Sequence, residues 1–262
     1  MNEARAVAAL NHPNVITIHD LATTEARDVG FPPGALYLVL EYLEGEGLDE
    51  IMDKRRLSIT ECLDIAIQAL EGLKVAHQSR ILHRDITPSN LMLAPDSRVK
   101  VLDFGLNKTL KTLDYLSPEQ TLGNPLDERS DLFSFGIVFY QMLAGVHPFS
   151  GASVTQMAAE TMTKEADPWP EPDLVPETLK QIVAKALEKE PLERYGSAAP
   201  VTSELPPPKK GPLLLLFGAS LVLLAGAATF LAARGCASFR ALSFVRAFTL
   251  SSRFGNFSRE GA

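Results

Sequence analysis

Cysteine is nearly absent: only Cys62 and Cys236 occur in 262 residues, in stretches of very different composition. Two cysteines so placed exclude a disulfide framework and a cysteine-ligated zinc site, and Cys62 reads as a small buried apolar residue. Positive charge is also in deficit. With 25 Lys and Arg against 32 Asp and Glu, the net charge is −7, which argues against general affinity for nucleic acid. The single tryptophan, Trp169, lies among prolines and acids and reads as a loop anchor. No internal repeat is visible. No secretory signal opens the chain, because Met1-Asn2-Glu3-Ala4-Arg5 is polar and reads as the start of a helix. No G-x-G-x-x-G run offers a glycine loop for phosphates.

What is present is enough for one large domain plus extras. A chain that is 46% hydrophobic and 22% charged is able to bury a globular core. Composition changes near residue 200. Pro206, Pro207 and Pro208 favour an extended, semi-rigid linker over 199–212. Leu213 to Ala233 then runs 21 residues without a charge, flanked by Lys209, Lys210 and Arg234. As a helix it would span roughly 30 Å, the thickness of a bilayer core, so a single transmembrane helix is expected over 213–233. The small residues in it give only weak support for self-association, since there is no GxxxG. The tail 234–262 carries Arg240, Arg246, Arg253 and Arg259 with one acid, Glu260. It suits an anionic membrane surface, or no fixed structure at all.

Along the rest of the chain, Glu3–Leu10 reads as a helix stopped by His12-Pro13-Asn14. Val15–Leu21 and Ala35–Tyr42 read as neighbouring antiparallel strands. From Leu48 to about Ala198 the pattern is mainly helical. Its clearest helix, Ser58–Gln78, places Cys62, Ile65, Ala66, Ala69, Leu70, Leu73 and Ala76 on one face. Short β segments are expected at Leu91–Leu93 and Val99–Leu102. Phe133–Leu143 is apolar nearly all round and should be buried, and Leu179–Glu190 is amphipathic. A small strand-bearing piece before a large helical one is an α+β arrangement.

Chemistry concentrates in Ile81–Asn90 (ILHRDITPSN) and Val101–Gly105 (VLDFG). Phosphoryl transfer needs a carboxylate near the acceptor hydroxyl and hard oxygen ligands for magnesium. Asp85, then Asn90 and Asp103 on loops joined by short strands, supply such a set.

HRD with Asn at this interval, then DFG, resembles the catalytic and magnesium loops of protein kinases. EARAVAALNHPNV is similar to that family's αC helix and exit, LYLVLEYLEG to its fifth strand and hinge, and YLSPEQ to the end of its activation segment. DERSDLFSFGIVFYQMLAGVHPF and KALEKEPLERY resemble its later helices. The likeness covers Glu3 to about Ser197 and is closest in flavour to bacterial serine/threonine kinases of the eukaryotic type. It implies an incomplete N-lobe and hinge over 1–45, built from αC and two strands, and a mainly helical C-lobe over 46–198. It also implies ATP and magnesium as cofactors, and protein substrates. Asp85 would take the acceptor's proton, and Asn90 and Asp103 would bind magnesium. Backbone at Glu41 and Leu43 would hold adenine behind a gatekeeper at Leu40, with Met92 beneath. Arg84 would meet a phosphorylated activation loop, with Thr109 and Thr112 as autophosphorylation candidates. Val7, Ile18, His83 and Phe104 would stack as a spine, Glu119 would pair with Arg194, and Asp131 would brace the catalytic loop. The remaining histidines, at 12, 19, 77 and 147, call for no functional role.

The sequence departs from the pattern in four places. It begins at αC, so Glu3 lacks the strand lysine it would pair with. Thr87 replaces a lysine that contacts the transferred phosphate. The Asp103–Glu119 segment is short, with Lys111 for a glycine, and the last helix ends early at GSAAPVTSEL. The expectation is an N-terminally truncated serine/threonine kinase in the cell membrane, single-pass, with its kinase domain cytoplasmic. The alternative is a pseudokinase or remnant serving as a membrane-tethered binding module.

Overall fold

The computed structural model describes residues 6–23, 36–104, 113–149, 151 and 153–208. Glu3, Thr109, Thr112 and the apolar run 213–233 lie outside them. No helix among the described residues is long and apolar enough to cross a membrane.

The small piece opens with a helical turn at residues 6–8 and continues into β1 (Ile18–Thr23) and β2 (Leu36–Leu40). The two strands are antiparallel, with Ile18 opposite Leu40 and Thr23 opposite Leu36. β1 starts three residues later than the pattern of Val15–Leu21 suggests. Val15 instead bridges Val101 in parallel, because Asn14 O accepts the Val101 N–H and Ile16 N donates to Val101 O. The segment 14–16 is thereby stitched to the large piece rather than to β2.

The large piece begins with β3 (Glu46–Gly47), α1 (Leu48–Lys54) and α2 (Ile59–Gln78). Ser58 caps α2: its Oγ accepts the Glu61 N–H, and the Glu61 carboxylate accepts the Ser58 N–H at 2.9 Å. All seven residues of the expected apolar face of α2 are buried. β4 (Leu91–Leu93) and β5 (Val99–Val101) form a hairpin, which β3 joins through Met92 and Leu93. β3 has two residues, too few for periodicity to reveal.

The helices α3 (Pro118–Leu122), α4 (Glu128–Ala144), α5 (Val154–Thr163) and α6 (Glu177–Ala186) follow. α4 is buried along nearly its whole length, including Phe133, Phe135, Phe139 and Tyr140, as an all-round apolar helix must be. Trp169 packs against Tyr140 with ring centroids 4.4 Å apart. The last helix among the described residues, α7 (Ala198–Glu204), extends the packed part beyond residue 198, the end of the C-lobe implied by the family likeness. Its Val201 and the following Leu205 are buried, and Tyr195 Oη donates to Glu204 at 2.6 Å. This seven-residue helix thus docks through Ala198 and Val201, with Leu205 just beyond it, too short a pattern to see in sequence.

Candidate active site

The loop from Ile81 to Asn90 leaves the end of α2 and enters β4, and a buried carboxylate anchors it. Asp131, fully buried in α4, accepts the backbone N–H groups of His83 (2.8 Å) and Arg84 (2.7 Å). His77 Nε2 lies 2.8 Å from the same group. Burial pushes the Asp131 carboxyl upward, but hydrogen bonding and charge from His77 outweigh it and leave it below its ordinary value. Arg84 sits at φ +68°, a left-handed position costly for a side chain. Its carbonyl accepts from Gln120 Nε2 at 2.7 Å, so both of its backbone groups are tied.

His83 is 1% exposed and its ring lies 4.6 Å from that of Phe104. Its Nε2 is 2.6 Å from Leu102 O, and its Nδ1 receives the Asp85 N–H at 3.3 Å. A carbonyl cannot donate and a backbone N–H cannot accept, so the ring carries its proton on Nε2 and is neutral. Burial lowers its pKa, consistent with that state. Val7, Ile18 and Phe104 are buried in the same core cluster.

Asp85 and Asn90 stand side by side. Asn90 Nδ2 donates to Asp85 O at 2.7 Å and approaches Asp85 Oδ2 at 3.3 Å. The turn Pro88–Asn90 closes through Asn90 N to Thr87 O. Leu102 N then donates to Asn90 O at 2.9 Å, which brings Asp103 next to this pair. Asp103 is at φ +53°. The Asn90 amide nitrogen is committed to Asp85, which leaves its oxygen as the available acceptor. One amide oxygen and one carboxylate fit magnesium, a hard ion that takes few protein ligands and keeps waters. Thr87 is 1% exposed, and its hydroxyl is 3.0 Å from Ser89 Oγ.

On the opposite side, Leu40 ends β2 and is 38% exposed. Glu41 N donates to Thr17 O, and Met92 lies opposite Lys100 across the hairpin. A cavity of about 360 Å³ borders Glu41, Leu43 and Lys100, and one of about 530 Å³ lies beside Thr87, Pro88, Ser89 and Tyr115. Glu119 meets Arg194 through two bonds, of 2.7 and 3.0 Å.

Four residues of this scaffold escaped the sequence reading. His77, left without a role, lies on the buried stripe of α2 and pairs with Asp131. Its place four residues after Leu73 was the available signal. Gln120 and Gln68 each reach a backbone group: Gln68 Oε1 accepts from Val99 N, and from the Asn14 side-chain amide as well. Lys100, between Val99 and Val101, alternates as an exposed strand residue would, yet it is 8% exposed.

A family model described as the protein kinase domain matches residues 1–204. A probable serine/threonine-protein kinase of Clostridium perfringens is 35% identical over 80% of this chain and 32% of its own length. Serine/threonine-protein kinase PknA of Mycobacterium tuberculosis is 33% identical over 76% of this chain and 48% of its own. PknB of Mycobacterium leprae is 32% identical over 87% and 39%. The chain belongs to the protein kinase family. It spans about a third to a half of the length of these relatives.

Proposed function

We propose that this protein is a serine/threonine kinase that transfers the γ-phosphoryl group of ATP to protein hydroxyls, itself included, with magnesium. The observation that carries the reading is the Asp85–Asn90 pair, tied to Asp103 through the Leu102–Asn90 bond. In this reading Asp85 orients the acceptor hydroxyl and takes its proton as the oxygen–phosphorus bond forms and the bond to ADP breaks. Asn90 and Asp103 hold the metal, which supplies positive charge to the phosphate oxygens when bound. Backbone at Glu41 and Leu43 receives adenine over Met92, behind Leu40. Arg84 reads a phosphate on the activation segment, where Thr112 is the candidate. The substrate chain approaches by the cavity beside Ser89, whose Tyr115 is fixed by Gln141 at 2.7 Å.

The 21-residue uncharged run supports a single-pass membrane anchor with the kinase domain in the cytoplasm. Protease protection of that domain in intact cells is the expected result. Its digestion from outside would reverse the orientation.

Activity is tested by label transfer from Mg-ATP to the full chain and to a generic basic protein, beside an Asp85→Asn control. Wild-type label that falls by about 10²–10⁴-fold in the control supports the kinase. Folded protein without label supports the second reading, a membrane-tethered binding module. The observation that favours that reading is Thr87, whose buried hydroxyl is engaged by Ser89 where a lysine would reach the phosphate.

A further inference from the structure

Lys100 lies at the middle of β5 with its ammonium buried. Nζ is 2.6 Å from Glu41 Oε1 and 3.1 Å from Val15 O. Glu41 Oε1 also accepts the Thr17 N–H at 2.7 Å, while Glu41 N donates to Thr17 O at 3.0 Å. Residues 15–17, the residue after β2 and β5 therefore meet at one ion pair, its ammonium buried and its carboxylate partly so. Met92 is the cross-strand partner of Lys100, and directly opposed residues share a face of the sheet. Lys100 thus stands on the face of Met92, with its Nζ at Glu41.

The segment 41–45 has no regular secondary structure, and Gly45 within it is at φ +154°. A short irregular segment with few tethers depends on each of them for its conformation. Burial raises the Glu41 pKa, but hydrogen bonds from Lys100 and Thr17 more than offset it, so the carboxylate stays charged. An ammonium with so little exposure needs that carboxylate beside it.

We propose that Lys100 is a positioning residue for nucleotide binding: through Glu41 it locks the adenine-holding segment in its binding conformation without touching the nucleotide. The proposal rests on the nucleotide reading above. Loss of the lock lowers the fraction of molecules that are ready to bind, and apparent affinity falls by that fraction. The transferred phosphate lies at Asp85, on other chain segments, so the chemical step is spared.

The experiment is calorimetric titration of the full chain with ATP and magnesium, for wild type, Lys100→Met, Glu41→Gln and the double variant. Label-transfer kinetics accompany it. The expected result is a Kd raised about tenfold in K100M, raised in E41Q, and no higher in the double variant than in K100M. In K100M, KM for ATP rises by a similar factor at unchanged kcat, the signature of lost uniform binding. Wild-type binding with equal affinity in both single variants overturns the proposal, as does a fall in kcat at constant KM. Additive losses in the double variant overturn it too. If K100M does not fold, E41Q decides, because it removes only the charge of the pair. Wild type that does not bind ATP refutes the nucleotide reading itself, and the proposal with it.

Discussion

Asp131 accepts from two successive backbone N–H groups and faces His77, so its replacement by Asn would turn an amide N–H₂ toward donors. Asp131→Asn is expected to lose about 2–3 kcal/mol of stability, read from the urea midpoint. Glu119 and Arg194 form a buried charge pair, with the Arg194 side chain fully covered. Arg194→Met strands the carboxylate and should cost about 3–5 kcal/mol, whereas Glu119→Gln with Arg194→Met together should cost less. Both carboxylates share a sign in pH. Burial raises each, but partners outweigh it: Arg194 and Ser130 for Glu119, His77 and the loop for Asp131. The folded values therefore lie below the ordinary 4.5 and 3.8. Their stabilisation is present above the unfolded values and is lost as pH falls through the folded ones. The urea midpoint should fall as pH drops below neutrality, because buried His83 stays neutral while its unfolded counterpart takes up a proton, and fall further through the carboxylate range. A midpoint that rises on acidification would contradict this.

At the scale of elements, α2 is the most informative. Its cap, Ser58, satisfies an orphan N–H, so Ser58→Ala should cost about 1 kcal/mol. Gly72 lies in the middle of this helix, where alanine is normally the better residue by about 1 kcal/mol. Here a Cβ would stand 2.7 Å from Asn14 O and 3.1 Å from Val101 Cγ2. The clash is with backbone that cannot swing aside, and Gly72→Ala is expected to destabilise by about 1–3 kcal/mol, measured by thermal unfolding. The face and cap of α2 were readable because a 20-residue amphipathic helix repeats its signal over several turns. The start of β1 was not, because Val15 and Ile16 have equal strand propensity whether they pair with β2 or with Val101.

Over the whole molecule, one thiol reports cooperativity. Cys62 is 0% exposed and burial pushes it up to about 12, so its thiolate is scarce and out of reach. In a Cys236→Ser background, a maleimide should label Cys62 only as fast as the domain opens globally. Labelling should be quick in urea and slow in buffer, and it should be accelerated by Arg194→Met. Rapid labelling of the native protein would mean that the α2–α4 core opens locally.

The sequence by itself determined the α+β order of elements, the apolar faces and the succession Asp85, Asn90, Asp103, because these are properties of spacing and periodicity, and the family through the likeness of its HRD and DFG motifs. The tertiary structure alone decided which polar groups hold those residues in place. His77, Gln68, Lys100 and Gln120 act across 31 to 85 residues of chain, several of them through main-chain atoms. Hydrogen bonds of that kind leave no local pattern. A buried lysine between two valines has the same sequence as an exposed one, and only the arrival of Glu41 beside it makes burial tolerable.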